Sequence, residues 1–427
     1  NGQVWIVWQV THADSPHYAI YANRTAFSNT RNATLIGRLF WQEWSGLRLK
    51  DTARSDTVTY KIPTDAGDYH LRLNEGLFVG TVTPADAGTR FFAVARWGDS
   101  LVTANNRISV TATYSLNEPP MCYEQYRGTN LGYPFAIFNM WADGRDNDAA
   151  GRPDFPVMGN RHKHGAPHIF IVAAQQGGPP PGPLPATIFL HGGGGAEGEP
   201  GARTFLPPNS PEFGLIPTGG LIITHEDRMY RERLPGGALG TQWFGYYRRM
   251  DAFFPVIPMS ADTVINYTQR RVVWINDWLA RNGTIDSTRL SVMGHSNGAR
   301  GARYLMKVYP QKFSSVTMFT SITRGGVALI SNLLGDDSLN LPTNLRDRKG
   351  QAVRMNQLWD LTSTFAPARD LPLTRLYAGK RDLENPNSVW DASLVGELRK
   401  EDSLSYGMHI YWDERKHGQR ISRHATG

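Results

Sequence analysis

Apolar and polar residues alternate with period two in short runs near the start of the chain, at 4–8, 18–21, 68–73, 90–96 and 107–112. These runs are rich in β-branched and aromatic residues and are separated by turn formers. They predict an antiparallel β-sandwich over residues 1–115. Beyond residue 165 the pattern changes. Apolar runs at 168–174, 185–190, 221–225, 290–293, 315–320, 374–379 and 408–412 read as buried strands. Between them, 261–282 carries Ile265, Thr268, Val272, Ile275 and Leu279 on one helical stripe, and 299–306 reads as a second helix. Strands alternating with helices call for a mainly parallel sheet with right-handed crossovers over 166–427. The Gly-, Pro- and Asn-rich stretch 116–165 links the two. Its Tyr123, Tyr126, Tyr133, Phe135 and Trp141 predict a segment packed against a domain rather than a free tether.

Chemistry concentrates in the second region. Gly294-His295-Ser296-Asn297-Gly298 stands between a strand and a helix. A serine on so tight a turn needs glycine-sized neighbours, and the turn directs a backbone N–H and the helix N-terminus towards charge developing beside the hydroxyl. Upstream, the 185–190 strand runs into His191-Gly192-Gly193-Gly194-Gly195, whose N–H groups are open to close approach. Downstream, Asp382 follows the 374–379 strand, and His417 follows the last one. The order Ser296, Asp382, His417 is that of an α/β-hydrolase triad. His409 and His424 are rivals for the histidine, and Glu384 and Asp391 for the acid.

On these motifs, residues 165–420 resemble a secreted α/β-hydrolase serine esterase of the esterase and polyhydroxybutyrate-depolymerase-like group. Residues 1–115 resemble a fibronectin type III module, with Trp8 as its core tryptophan. The resemblance implies an α/β-hydrolase fold behind an all-β sandwich. Ser296 would be the nucleophile, His417 the base and Asp382 its orienting acid. N–H groups of Gly193, Gly194 and Asn297 would form the oxyanion hole, with no cofactor or metal.

Two further segments bear on specificity. Trp243, Phe244, Tyr246 and Tyr247 cluster beside Gly245 and either line an acyl or aromatic-ester pocket or pack the domain. The 323–370 insertion, with Leu329, Ile330, Leu333, Leu334, Leu341, Met355 and Leu358, predicts a small helical cap. The 143–148 run, Asp143-Gly144-Arg145-Asp146-Asn147-Asp148, has the alternation of a calcium loop but lacks its closing glutamate, so it reads as a solvated turn. His162, His164 and His168 lack a carboxylate partner motif and read as polar residues around a strand start.

Composition narrows the classes. The 427 residues are 40% apolar and 11% aromatic, enough for two or three cored domains. Cys122 stands alone, which excludes an intrachain disulfide. No apolar run is long enough for a transmembrane helix. The net charge of +7 comes with 36 arginines against 9 lysines, scattered without a basic run, so neither nucleic acid nor membrane is an expected partner. The chain opens on Asn1, which sets the expectation of a secreted protein with its signal removed.

The expected activity is carboxylester hydrolysis through an acyl-enzyme on a polyester or on polymer-linked feruloyl or acetyl esters. A serine peptidase of the prolyl-oligopeptidase kind and a non-catalytic binding protein on the same scaffold are the alternatives. The oligomeric state is left open.

Overall fold

The structure, a computed structural model, describes residues 2–10, 17–114, 122–130, 132–141, 167–192, 217–230, 238–250, 262–320, 333–334, 338–347, 349–359, 370–382 and 407–417. The expected sites at Gly193 and Gly194, the 143–148 run, His162, His164, Glu384, Asp391 and His424 lie outside them.

The front region is built of strands β1 (Gln3–Gln9), β2 (His17–Asn23) and β3 (Thr34–Phe40), short helices α1 (Trp41–Trp44) and α2 (Leu47–Ala53), and strands β4 (Lys61–Thr64), β5 (Gly67–His70), β6 (Glu75–Thr81), β7 (Gly88–Arg96) and β8 (Arg107–Ala112). A four-stranded sheet, β3-β2-β7-β8, faces the β1-β6 pair. Val4, Ile6 and Phe78 from the pair meet Ile20, Ile36, Phe92 and Val94 in the core between them. Trp8 is half-buried at the edge of this core, its ring against Tyr18 and Trp44.

Strand β6 is buried along its whole length, for a reason that period-two geometry makes plain. Phe78 points into the sandwich, whereas Leu77 and Val79 point the other way. There they join Leu49, Val58, Tyr60 and Ile62 against Ile137, Trp141, Ile169 and Ile171 of the second region. One strand thus serves two cores.

The second region continues with β9 (Cys122–Asn130), β10 (Tyr133–Trp141), β11 (Pro167–Ala173), β12 (Leu184–Leu190), β13 (Leu221–His225), β14 (Arg228–Tyr230), β15 (Ala238–Gly240), β16 (Tyr246–Tyr247), β17 (Val264–Ile265), α3 (Tyr267–Arg281), β18 (Ile285–His295), α4 (Asn297–Val308) and β19 (Ser315–Phe319). It ends with β20 (Pro342–Arg346), β21 (Ala352–Arg354), α5 (Met355–Trp359), β22 (Leu373–Gly379) and β23 (Met408–Asp413). Nine of these strands form one sheet in the order β23-β22-β19-β18-β12-β13-β11-β10-β9. From β13 to β23 all neighbours are parallel. Strand β11 runs against both β10 and β13. Counted from β10, the second strand is reversed and the fourth lies between the second and third, which is the α/β-hydrolase arrangement.

Three expectations change. Residues 122–141, read as a linking segment, are the two outermost strands of the sheet. The helix expected from residue 261 begins at Tyr267, because Val264 and Ile265 pair as a short strand; Thr268, Val272, Ile275 and Leu279 form the buried stripe as expected. The described part of the 323–370 insertion is not a helical cap. It is largely the β20-β21 hairpin, which extends β16 and β17 into a four-stranded sheet and carries only the short α5. Leu334, Leu341, Val353, Met355 and Leu358 pack there against Phe244 and Tyr304.

A buried ion pair ties the two regions. Arg48 on α2 reaches Glu226, just past β13, and donates from Nη1 to the Pro167 carbonyl at 3.3 Å. Both side chains are nearly inaccessible, at 4% and 1%. Removing one partner strands a buried charge, so Arg48→Ala is expected to lower stability by about 3–5 kcal/mol. Urea unfolding of the full chain measures this. An Arg48→Met/Glu226→Leu double variant should recover most of the loss, since it strands no charge.

Candidate active site

The turn after β18 is unusual in its backbone. Ser296 sits at φ 52° and ψ −113°, a region costing a non-glycine residue about 1–3 kcal/mol. Its neighbours hold it there. The Ser296 N–H donates to the Phe319 carbonyl at the end of β19 (2.9 Å), and its own carbonyl accepts from the Arg300 N–H in the first turn of α4 (3.2 Å). The flanking glycines are obligatory: a Cβ on Gly294 would collide with the Gly298 carbonyl, and one on Gly298 with the Leu190 carbonyl at the end of β12. The tight turn therefore also brings the β12 loop against α4. Ser296 is half-buried, and it stands at the N-terminus of a 12-residue helix whose first N–H groups have no intrahelical acceptor.

Asp382 and His417 meet across two loops at the carboxyl ends of β22 and β23. His417 Nδ1 lies 2.9 Å from Asp382 Oδ2. The Asp382 side chain is fully buried, and that of His417 is 12% exposed. Backbone bonds lace the loops together: Lys380 N–H to the Asp413 carbonyl (2.8 Å) and Arg381 N–H to the Arg415 carbonyl (3.1 Å). Gly379 permits this, since a Cβ there would strike the Arg415 carbonyl. The His417 ring packs against that of His295, the residue before Ser296, with centroids 5.0 Å apart. The rival His409 is exposed on β23, the terminal strand of the sheet, away from any such pairing with Asp382.

The β12 loop is described through Gly192. His191 is buried, with Nδ1 2.8 Å from the Gly192 carbonyl oxygen. Trp243 lies over it: the indole N–H donates to the His191 carbonyl at 3.1 Å, and the two rings make an edge contact at 4.8 Å. This decides between the two expectations for the aromatic cluster. Trp243, Phe244, Tyr246 and Tyr247 are 1%, 0%, 6% and 3% exposed, so their rings pack the domain instead of forming an open pocket wall. Phe244 meets Tyr304 of α4, and Tyr246 meets Tyr267 of α3.

Behind Trp243 lies a buried polar group for which the sequence offered one signal, a strand that ends in a histidine and is followed at once by two acids. His225 ends β13, Glu226 and Asp227 follow it, and all three are almost wholly inaccessible. Asp227 Oδ1 accepts from the Trp243 N–H (2.9 Å), the Thr241 N–H (3.2 Å) and the Thr241 hydroxyl. Burial pushes the Asp227 carboxyl up to about 6 against those hydrogen bonds, and it pushes His225 down to about 3. Arg271 donates to the Glu226 carbonyl oxygen (2.6 Å); burial lowers its guanidinium to about 10.

No protein-family model matches the chain, and no curated protein matches it in sequence. Among solved structures it is similar to an S-formylglutathione hydrolase from Agrobacterium tumefaciens, with a TM-score of 0.41 and 15% identity, covering 68% of this chain and 91% of that one. It is similar also to an acetyl xylan esterase from Paenibacillus sp. R4, at TM-score 0.41 and 14% identity over 72% and 87% of the two chains. Oligopeptidase B from Trypanosoma brucei gives TM-score 0.40 and 14% identity, covering 80% of this chain and 40% of that one.

Proposed function

We propose that the protein is a serine carboxylester hydrolase that works through an acyl-enzyme. The observation that carries this reading is the 2.9 Å His417–Asp382 contact, held beside His295 and so next to a serine at φ 52°. In the proposed mechanism, Asp382 fixes the His417 tautomer by accepting from Nδ1–H, which leaves Nε2 as the base. Nε2 takes the Ser296 proton as Oγ attacks the ester carbonyl, then gives that proton to the leaving alcohol. Water enters with His417 as base again and releases the acid. The oxyanion is assigned to N–H groups of Asn297 and of the Gly193-Gly194 loop, each worth about 3–4 kcal/mol in the transition state. No cofactor takes part in these steps.

The proposed substrates are polyesters or the feruloyl and acetyl esters of polymers. The test is a panel on the full chain: a soluble aryl ester, an insoluble polyester, acetylated and feruloylated polysaccharide, and a peptide amide. The full chain is required because Leu77 and Val79 share a core with the catalytic sheet. Ester turnover without amide cleavage supports the reading. Amide cleavage of comparable efficiency moves the protein to the peptidases, and activity on the soluble ester alone removes the polymer substrate.

A further inference from the structure

The loop that starts the glycine run is held from outside itself. Gln242 and Trp243 occupy successive left-handed conformations, at φ 54° and 58°, although neither is glycine. Such a pair is strained and persists only where its surroundings over-determine it. Three contacts do so. Asp227 Oδ1 accepts the Trp243 N–H at 2.9 Å and the Thr241 N–H at 3.2 Å. Gln242 Oε1 accepts from Arg300 Nη1 of α4 at 3.1 Å. Gly301 of α4 leaves room for the Trp243 side chain, which a Cβ at that position would overlap. The strained turn aims the indole N–H at the His191 carbonyl oxygen, 3.1 Å away.

That bond acts on a peptide plane. A trans peptide points its C=O and N–H in opposite directions, so fixing the His191 carbonyl fixes the direction of the Gly192 N–H. The same carbonyl packs against Gly298, two residues past Ser296. We propose that Trp243 is a positioning residue for the His191-Gly192 peptide that opens the oxyanion loop, with Asp227 as the anchor that sets its turn. The inference rests on the serine-hydrolase reading above and adds to it two residues that act through the His191 carbonyl.

Trp243→Phe tests it, because the ring stays and only the donor and part of the ring volume go. Three quantities are measured on the full chain: kcat and KM for a soluble aryl ester, the rate of Ser296 labelling by a fluorophosphonate, and the affinity for a trifluoromethyl ketone. The labelled adduct and the ketone adduct both place a tetrahedral centre's oxygen at the oxyanion site. The expected result is a fall of about tenfold in kcat, in labelling rate and in ketone affinity, with KM unchanged. Asp227→Ala should show the same pattern, and combining it with Trp243→Phe should add little, as for two links of one chain. Asp227→Asn keeps an acceptor oxygen and should stay within about threefold of the parent.

Wild-type kcat, labelling and ketone affinity in Trp243→Phe would overturn the positioning role while leaving Ser296 as nucleophile. A loss confined to melting temperature or KM would overturn it too, since it reports packing alone. A parent chain that neither turns over esters nor labels at Ser296 would overturn the hydrolase reading and this inference together.

Discussion

Ser296→Ala is expected to reduce ester turnover by about a million-fold while leaving the fold intact. The loss is large because, in the proposed mechanism, the hydroxyl is the atom that forms the covalent intermediate, and without it the remaining machinery has nothing to activate. The fold should survive for a local reason. Ser296 contributes its backbone to the turn, through the bonds to Phe319 and Arg300, and alanine preserves both. The strain at φ 52° is common to serine and alanine, so it cancels in the comparison. Circular dichroism and urea unfolding should match the parent. Turnover within tenfold of the parent would eliminate Ser296 as the nucleophile.

Asp382→Asn has the second-largest expected effect, a fall in kcat of about ten-thousand-fold. The carboxylate is fully buried and lies 2.9 Å from His417 Nδ1. An asparagine there offers an N–H as readily as an oxygen, and it can stabilise the tautomer that protonates Nε2. That tautomer has no lone pair for the Ser296 proton, and the imidazolium formed during attack loses its counter-charge. Measurement of kcat from pH 6 to 10 distinguishes this from misfolding. The variant should keep the parent's KM within a fewfold and its unfolding midpoint. An Asp382→Asn chain with parental kcat would mean that another group orients His417.

Much of the fold and of the candidate site's layout was legible because it is local. Alternation and apolar runs report which side of a strand or helix is buried, and the strands that end in Leu190, His295, Gly379 and Asp413 stood in the right order with the candidate residues just past them. The G-x-S-x-G turn was legible because only glycine tolerates the close passage of Gly298 and Leu190 backbone. The sheet's outer strands were less so. Residues 122–141 carry Gly128, Gly132 and Pro134, which read as punctuation, yet β10 becomes a sheet strand through pairing with β9 and β11. The insertion misled in another way. Its leucines suit a helix as well as a strand, and the hairpin forms because Gly350, at φ 76°, closes a turn whose edge meets β17.

The sequence by itself determined the α/β alternation, the strained serine turn and the chain order of Ser296, Asp382 and His417. Each of these follows from residues close together in the chain, where steric and burial preferences act directly. Only the tertiary structure decided what lies between distant segments. It set Trp243 on the His191 carbonyl across 52 residues, paired Arg48 with Glu226 across 178, and turned the aromatic cluster inward as packing. It also gave β6 two cores, which makes the front region part of the nine-stranded sheet's support. Those contacts depend on which surfaces meet after long loops have closed. A local pattern of polar and apolar positions carries the fact of burial but not the identity of the partner.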